Sequence, residues 1–152
     1  MYSQTAEYAL RAMSCLALRP NVLVSTNVLA RETKVPSNYL SKVLQTLANV
    51  GLIEGRRGVG GGYKLSRDPK DTTLLQVINA VSPVERITSC PLGLQNHGPN
   101  LCPLHRRADM AAAAVIEIFG NTSLADLLTN SNKPLCDTEK TARLTVQGSL
   151  AR

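Results

Sequence analysis

Residues 37–67, SNYLSKVLQTLANVGLIEGRRGVGGGYKLSR, change their apolar period halfway, and that change restricts the folds open to the chain. In the first half Leu40, Val43, Leu44 and Leu47 recur at helical spacing, with Ser37 placed as a cap and Gly51 as the stop. In the second half LIEGRR and YKLSR flank a run of glycines, the pattern of strand, tight turn and strand. The expectation is a helix that runs directly into a small β-hairpin.

Upstream, TAEYALRAMSCLAL (5–18) carries Ala6, Ala9, Leu10, Met13, Leu16 and Ala17 on one helical face, and Pro20 ends it. A short strand-like piece precedes Ser25 or Thr26, either of which can cap a helix whose Val28 and Leu29 point inward. Pro36 ends that helix and Ser37 caps the next, and two short helices separated by about three residues form a helix-turn-helix pattern. The polar face of the second helix presents Asn38, Tyr39, Ser41, Lys42 and Gln45, donors and acceptors suited to base edges and phosphates, with no acid among them. Arg56 and Arg57 enter the glycine turn and Tyr63 leaves it, a wing that can carry arginine toward a minor groove. The glycines lack a following Gly-Lys-Ser/Thr and helix start, so a nucleotide-binding loop is not expected. Charge supports nucleic acid as partner. Residues 1–70 hold ten Lys or Arg against four acids, a net +6, whereas residues 71–152 hold seven of each.

Downstream, DTTLLQVINAVSP is a capped helix stopped by Pro83. A Pro- and Gly-punctuated loop follows, then a helix from 103 to about Phe119 with Gly120 as its stop, and a short last helix capped by Thr122 or Ser123. The long helix is apolar on more than one face, which calls for a partner; the same helix of a second subunit is the natural one. The fold class is therefore mainly α with a small β-hairpin wing. It divides into a winged helix-turn-helix domain (1–82), a cysteine-containing loop (83–102), a dimerisation helix with a short final helix (103–129) and a polar tail (130–152) read as mobile. No apolar run reaches the ~20 residues of a membrane span, and the N-terminus lacks a signal-peptide pattern, so a soluble, cytoplasmic protein is expected. Four unevenly spaced cysteines suggest no disulfide framework. Cys15 reads as a buried small hydrophobe and Cys136 as a free tail thiol.

The order helix, helix-turn-helix, RGVGGGYKL wing, TLLQVINAV helix, cysteine loop, CPLH (102–105), long helix and SLADLL resembles the Rrf-type (IscR/NsrR/RirA-like) family of bacterial winged-helix regulators from about Tyr2 to Leu128. The resemblance implies a homodimeric DNA-binding repressor or activator, with repression the expectation. The helix beginning at Ser37 would lie in the major groove and Arg57 in the minor groove. Two such heads would bind a pseudo-palindromic operator in double-stranded DNA, its half-sites about 10 base pairs apart. Ser41 stands where some relatives carry an acid that helps set base preference, so an operator does not transfer.

Sensing members carry three evenly spaced loop cysteines. Here Cys90 and Cys102 match the outer pair, and Asn96, with His97 beside it, occupies the middle place. The resemblance implies a [2Fe-2S] cluster held by Cys90, Cys102, His105 and Glu7, the last contributed across a dimer, with His97 as a substitute ligand. Plainer readings stand beside this. His105 can be a surface residue, and Glu7 suits the first turn of a helix by the helix dipole alone. Cys90 and Cys102 can instead form a reversible disulfide, or the loop can have lost sensing, leaving a metal-free regulator. Two cysteines with eleven residues between them match no compact zinc spacing. Outside regulation, the alternatives are a non-specific architectural DNA-binding protein and a thiol oxidoreductase. The latter lacks a Cys-x-x-Cys, and no catalytic set is present in one motif, so no enzyme is expected.

Overall fold

The computed structural model describes residues 2–94, 100–129 and 136. Its elements are α1 (Gln4–Ala17), α2 (Thr26–Thr33), α3 (Ser37–Asn49), β1 (Ile53–Arg56), β2 (Gly62–Leu65), a 3-10 turn at Pro69–Asp71, α4 (Leu74–Val81), α5 (Pro103–Gly120) and α6 (Leu124–Thr129). The mainly helical chain with one antiparallel hairpin is the expected fold class.

Helix α1 starts at the Ser3 cap, whose hydroxyl accepts from the Ala6 amide at 3.2 Å. The sequence shows one apolar face, but the second half of α1 is buried on every side: Ala12, Met13, Ser14, Cys15, Leu16 and Ala17 all lie in the interior. Small residues at 12, 14, 15 and 17 let α2, α3, α4 and α6 approach closely around it. Ser14 causes no orphan, because its hydroxyl donates to the Leu10 carbonyl.

Between α2 and α3 the chain turns at Lys34, which adopts left-handed φ 58° as the C-cap of α2, and Val35 inserts into the core. Ser37 does not cap α3. The Pro36 carbonyl accepts from the Tyr39 and Leu40 amides, so Pro36 occupies the cap position and Ser37 is the first helical residue. Leu40, Val43, Leu44 and Leu47 form the buried stripe as the spacing predicts.

The wing pairs Ile53 with Leu65 and Glu54 with Lys64, and it is stitched to the helical part by reciprocal bonds of 2.9 Å between Tyr63 and Val24. That bridge is the strand-like piece read before α2. α4 begins with a capping box, Thr73 and Gln76 each bonding the other's backbone. The Leu74 amide donates to Thr122 and the Leu124 amide to Thr72, both at 2.9 Å, which pins the start of α6 beside α4. α5 stops at Gly120, as expected. Gly120 is its last helical residue, and Asn121 caps it with its amide bonded to the Glu117 carbonyl.

The cysteine assignments are corrected by the fold. Cys15 and Cys136 are joined in a disulfide across 121 positions, and both lie in the main core cluster. Cys15 is buried as expected, but Cys136 is not a free thiol, because it is buried against Cys15 on the enclosed half of α1. Apart from Cys136, the tail expectation lies outside the described residues. Among the described residues no helix is long and apolar enough to cross a membrane.

Candidate nucleic-acid interface and cysteine loop

A groove of about 600 Å³ lies between α3, the start of α2 and the wing. It brings together Ser41, Gln45, Arg56, Arg57 and Tyr63 of the residues singled out in the sequence. All but the half-buried Tyr63 are exposed. The Tyr63 ring lies over Gly55, where a β-carbon would approach it to 2.9 Å, so the small residue at 55 seats the ring. Ser41 donates its hydroxyl hydrogen to the Ser37 carbonyl at 2.8 Å, which leaves its lone pairs facing outward as acceptors. Asn49, at the far end of α3, and Ser25 and Thr26, at the start of α2, line the same groove. Sequence reasoning did not place Asn49 there, and it treated Ser25 only as a cap; the cap itself is real, since its hydroxyl accepts from the Val28 amide.

The other residues from the recognition face lie elsewhere. Tyr39 and Lys42 border a smaller cleft of about 220 Å³ with Gln4, Thr5 and Tyr8, while Ser37 and Asn38 are exposed in the first turn of α3. The groove thus has a polar helix on one side, two exposed guanidinium-bearing positions on the other and a helix N-terminus at its rim. That arrangement suits a duplex backbone crossing between helix and wing.

The cysteine loop is anchored by contacts with no sequence-level signature. Arg86 reaches α5 and donates from Nε and Nη2 to the two oxygens of Asp109, each at 2.6 Å, and the Ile87 amide donates to the same carboxylate at 2.9 Å. The Arg86 hydrogen bond holds the Asp109 carboxyl below its usual range, and the same bond raises Arg86. Asn79 receives the Val84 amide, fixing the exit from α4.

Cys102 stands at the N-terminus of α5, with its sulfur 3.3 Å from Nδ1 of His105. Cys90 is half-buried and, like Cys102, free. The Glu7 carboxylate is engaged within its own chain, accepting from the Tyr2 hydroxyl at 3.0 Å and from Arg11 Nε at 2.9 Å. Burial foremost, and then the Glu7 bond, raise the Tyr2 phenol. His97 lies outside the described residues. Among the described residues, Cys102 and His105 meet but no group of three or more potential metal ligands converges within one chain.

Residues 2–130 match the model of the Rrf2 family, described as an iron-dependent transcriptional regulator. The chain is 30% identical over 128 residues to the HTH-type transcriptional regulator NsrR of Bacillus subtilis, covering 82% of this chain and 87% of that protein. It is 27% identical over 138 residues to a putative HTH-type transcriptional regulator of Aquifex aeolicus, covering 89% and 96%. Among solved structures, CymR, the global cysteine regulator of B. subtilis, superposes with a TM-score of 0.72 at 24% identity, over 87% of this chain and 98% of that one. IscR of T. potens superposes at 0.68 and 21% identity, over 100% and 93%. These relatives and neighbours are regulators, not enzymes, and the whole sequence order from α1 to α6 falls inside the matched span. The chain belongs to the Rrf2 family of winged-helix transcriptional regulators.

Proposed function

We propose that this protein acts as a homodimer that recognises a pseudo-palindromic operator, setting α3 in the major groove and the wing in the minor groove. The observation that carries this reading is the groove itself, where Ser41 and Gln45 of α3 face Arg56 and Arg57 of the wing. The excess positive charge of residues 1–70 supplies the long-range attraction to phosphates. In a pool of random duplexes the chain should select one sequence class and favour it by ~10³-fold or more over bulk duplex at fixed salt. Selection of none would leave an architectural binder. Arg57→Ala is expected to weaken binding and to reduce the salt slope by about 1; an unchanged slope would remove the wing from the interface.

The dimer is supported by α5. None of its 18 residues is buried, and Met110 and Ile118 are 56% and 62% exposed. An apolar helix left uncovered in one chain fits burial against its twin. Met110→Asp should shift the protein to monomer in sedimentation and with it abolish tight binding to the two-half-site operator; a persisting dimer would place the interface elsewhere. A protein of this kind works in the cytoplasm.

The cysteine loop fits a [2Fe-2S] cluster in part. Cys102 and His105 are already adjacent, Cys90 is a free thiol on the same loop, and thiolate with imidazole is a known donor set for such a centre. Glu7 of the second subunit would complete the set only by giving up Tyr2 and Arg11, a change that would tie occupancy to α1. A bound cluster supplies a site sensitive to redox state, nitric oxide or iron-sulfur supply. Anaerobically purified protein should contain about two iron and two labile sulfide per subunit. Protein that stays iron-free and colourless after reconstitution, yet binds its operator, would favour the metal-free regulator.

A further inference from the structure

We propose that Cys15 and Cys136 form a reversible thiol–disulfide couple that fastens Cys136 to α1 and so tunes DNA binding. The two residues are 121 positions apart, yet their α-carbons lie 5.8 Å from each other, within the range a disulfide needs. Both are buried in the main core cluster. The partnership is therefore part of the packing, and it is separate from the free thiols of Cys90 and Cys102.

Two considerations make this bond a switch rather than a staple. The first rests on the proposed function: a regulator that meets DNA works where thiols are kept reduced, and disulfides formed there are transient and redox-sensing. The second is position. α1 packs against α2, α3, α4 and α6, so the helix that receives the bond is also the one that backs the recognition helix. In the disulfide state α1 is held from both ends of the sequence. Reduction frees Cys136 from Cys15, loosens the packing behind α3 and weakens operator binding.

The chemistry closes with a low-molecular-weight disulfide as oxidant. The Cys136 thiolate attacks one of its sulfurs, forming a mixed disulfide and releasing one thiolate. The Cys15 thiolate then attacks the Cys136 sulfur, forming the internal bond and releasing the second thiolate. The two cysteines lose two electrons and two protons, which leave with the two small thiols. Cys136 reacts first because it stands outside the helices, while Cys15 is enclosed within the packed half of α1. An excess of small thiol runs the sequence backward.

The test uses the 152-residue chain without a cluster, treated with glutathione disulfide or with dithiothreitol. Maleimide labelling in non-reducing denaturant should count two thiols after oxidation, those of Cys90 and Cys102, and four after reduction, with mass spectrometry recovering a peptide bridged between Cys15 and Cys136. The selected operator should bind about fivefold or more weakly to the reduced wild type. Cys136→Ser should melt at one temperature, and bind the operator equally, in both treatments, whereas the wild type should melt several degrees lower when reduced. Four thiols after oxidation, a bridge through Cys90 or Cys102 instead, or equal operator affinity of the two wild-type states would each overturn the proposal. A chain that binds no duplex in either state would count against the proposed function, while the thiol count and bridged peptide still decide the couple.

Discussion

Gly62→Ala should detach the wing and cost about 3 kcal/mol of stability, with operator affinity lost alongside. Gly62 has φ 151°, and a β-carbon there would stand 2.4 Å from the Val24 carbonyl oxygen and 2.5 Å from its carbon. Both neighbours are backbone, so no side chain can swing aside. The clash falls on the bridge between Val24 and Tyr63 that holds the hairpin to the helices. Gly58→Ala provides the comparison. Its φ of 94° also disfavours a side chain, but nothing lies within 4 Å of the added atom, and the expected cost is about 1 kcal/mol. Urea unfolding of the two variants measures the difference, and operator titration shows whether the wing is lost. Equal destabilisation would mean that the close approach at Val24 is unimportant.

Arg19→Ala is expected to destabilise the fold by about 3 kcal/mol, because it strands a buried carboxylate. Arg19 follows α1 and its Nη2 bonds the Glu32 carboxylate of α2; the Glu32 side chain is only 2% exposed and that of Arg19 27%. Among the described residues Glu32 Oε1 and Arg19 Nε have no hydrogen-bond partner, so the pair depends on its single direct bond. Replacing both residues, as Arg19→Met with Glu32→Leu, should recover most of the loss, since an apolar pair of similar volume removes both desolvation costs. Chemical denaturation of the single and double variants decides this. A double variant as unstable as the single would show that the loss comes from packing around the arginine stem instead of the unpaired charge.

The wing and recognition helix were legible because their signals are local. The stripe Leu40, Val43, Leu44 and Leu47 falls within about two turns, and the glycines that reverse the hairpin sit between its strands. Helix caps were legible in part. Ser25 caps as its spacing suggests and the capped start read for α4 falls on Thr73, but Ser37 yields the role to Pro36, whose carbonyl receives the Tyr39 and Leu40 amides. Arg86 and Asp109, 23 positions apart, could not be paired from sequence. Neither residue type has a period to follow, and their meeting depends on how the loop is laid against α5. The interface was half legible: the outward face of α3 was evident, but which of its residues share a groove with the wing was not, and Tyr39 and Lys42 turn toward a different cleft.

By itself the sequence determined the order of helices and hairpin, the buried stripe of α3, the basic character of the first 70 residues and the family, because each is written in neighbouring residues or in their sum. Only the tertiary structure decided that the second half of α1 is enclosed on all sides, that Glu32 lies buried against Arg19, and that Cys15 meets Cys136. Those outcomes depend on which surfaces fold against one another across many intervening residues, and a pattern of spacing along the chain carries no record of that distance in space.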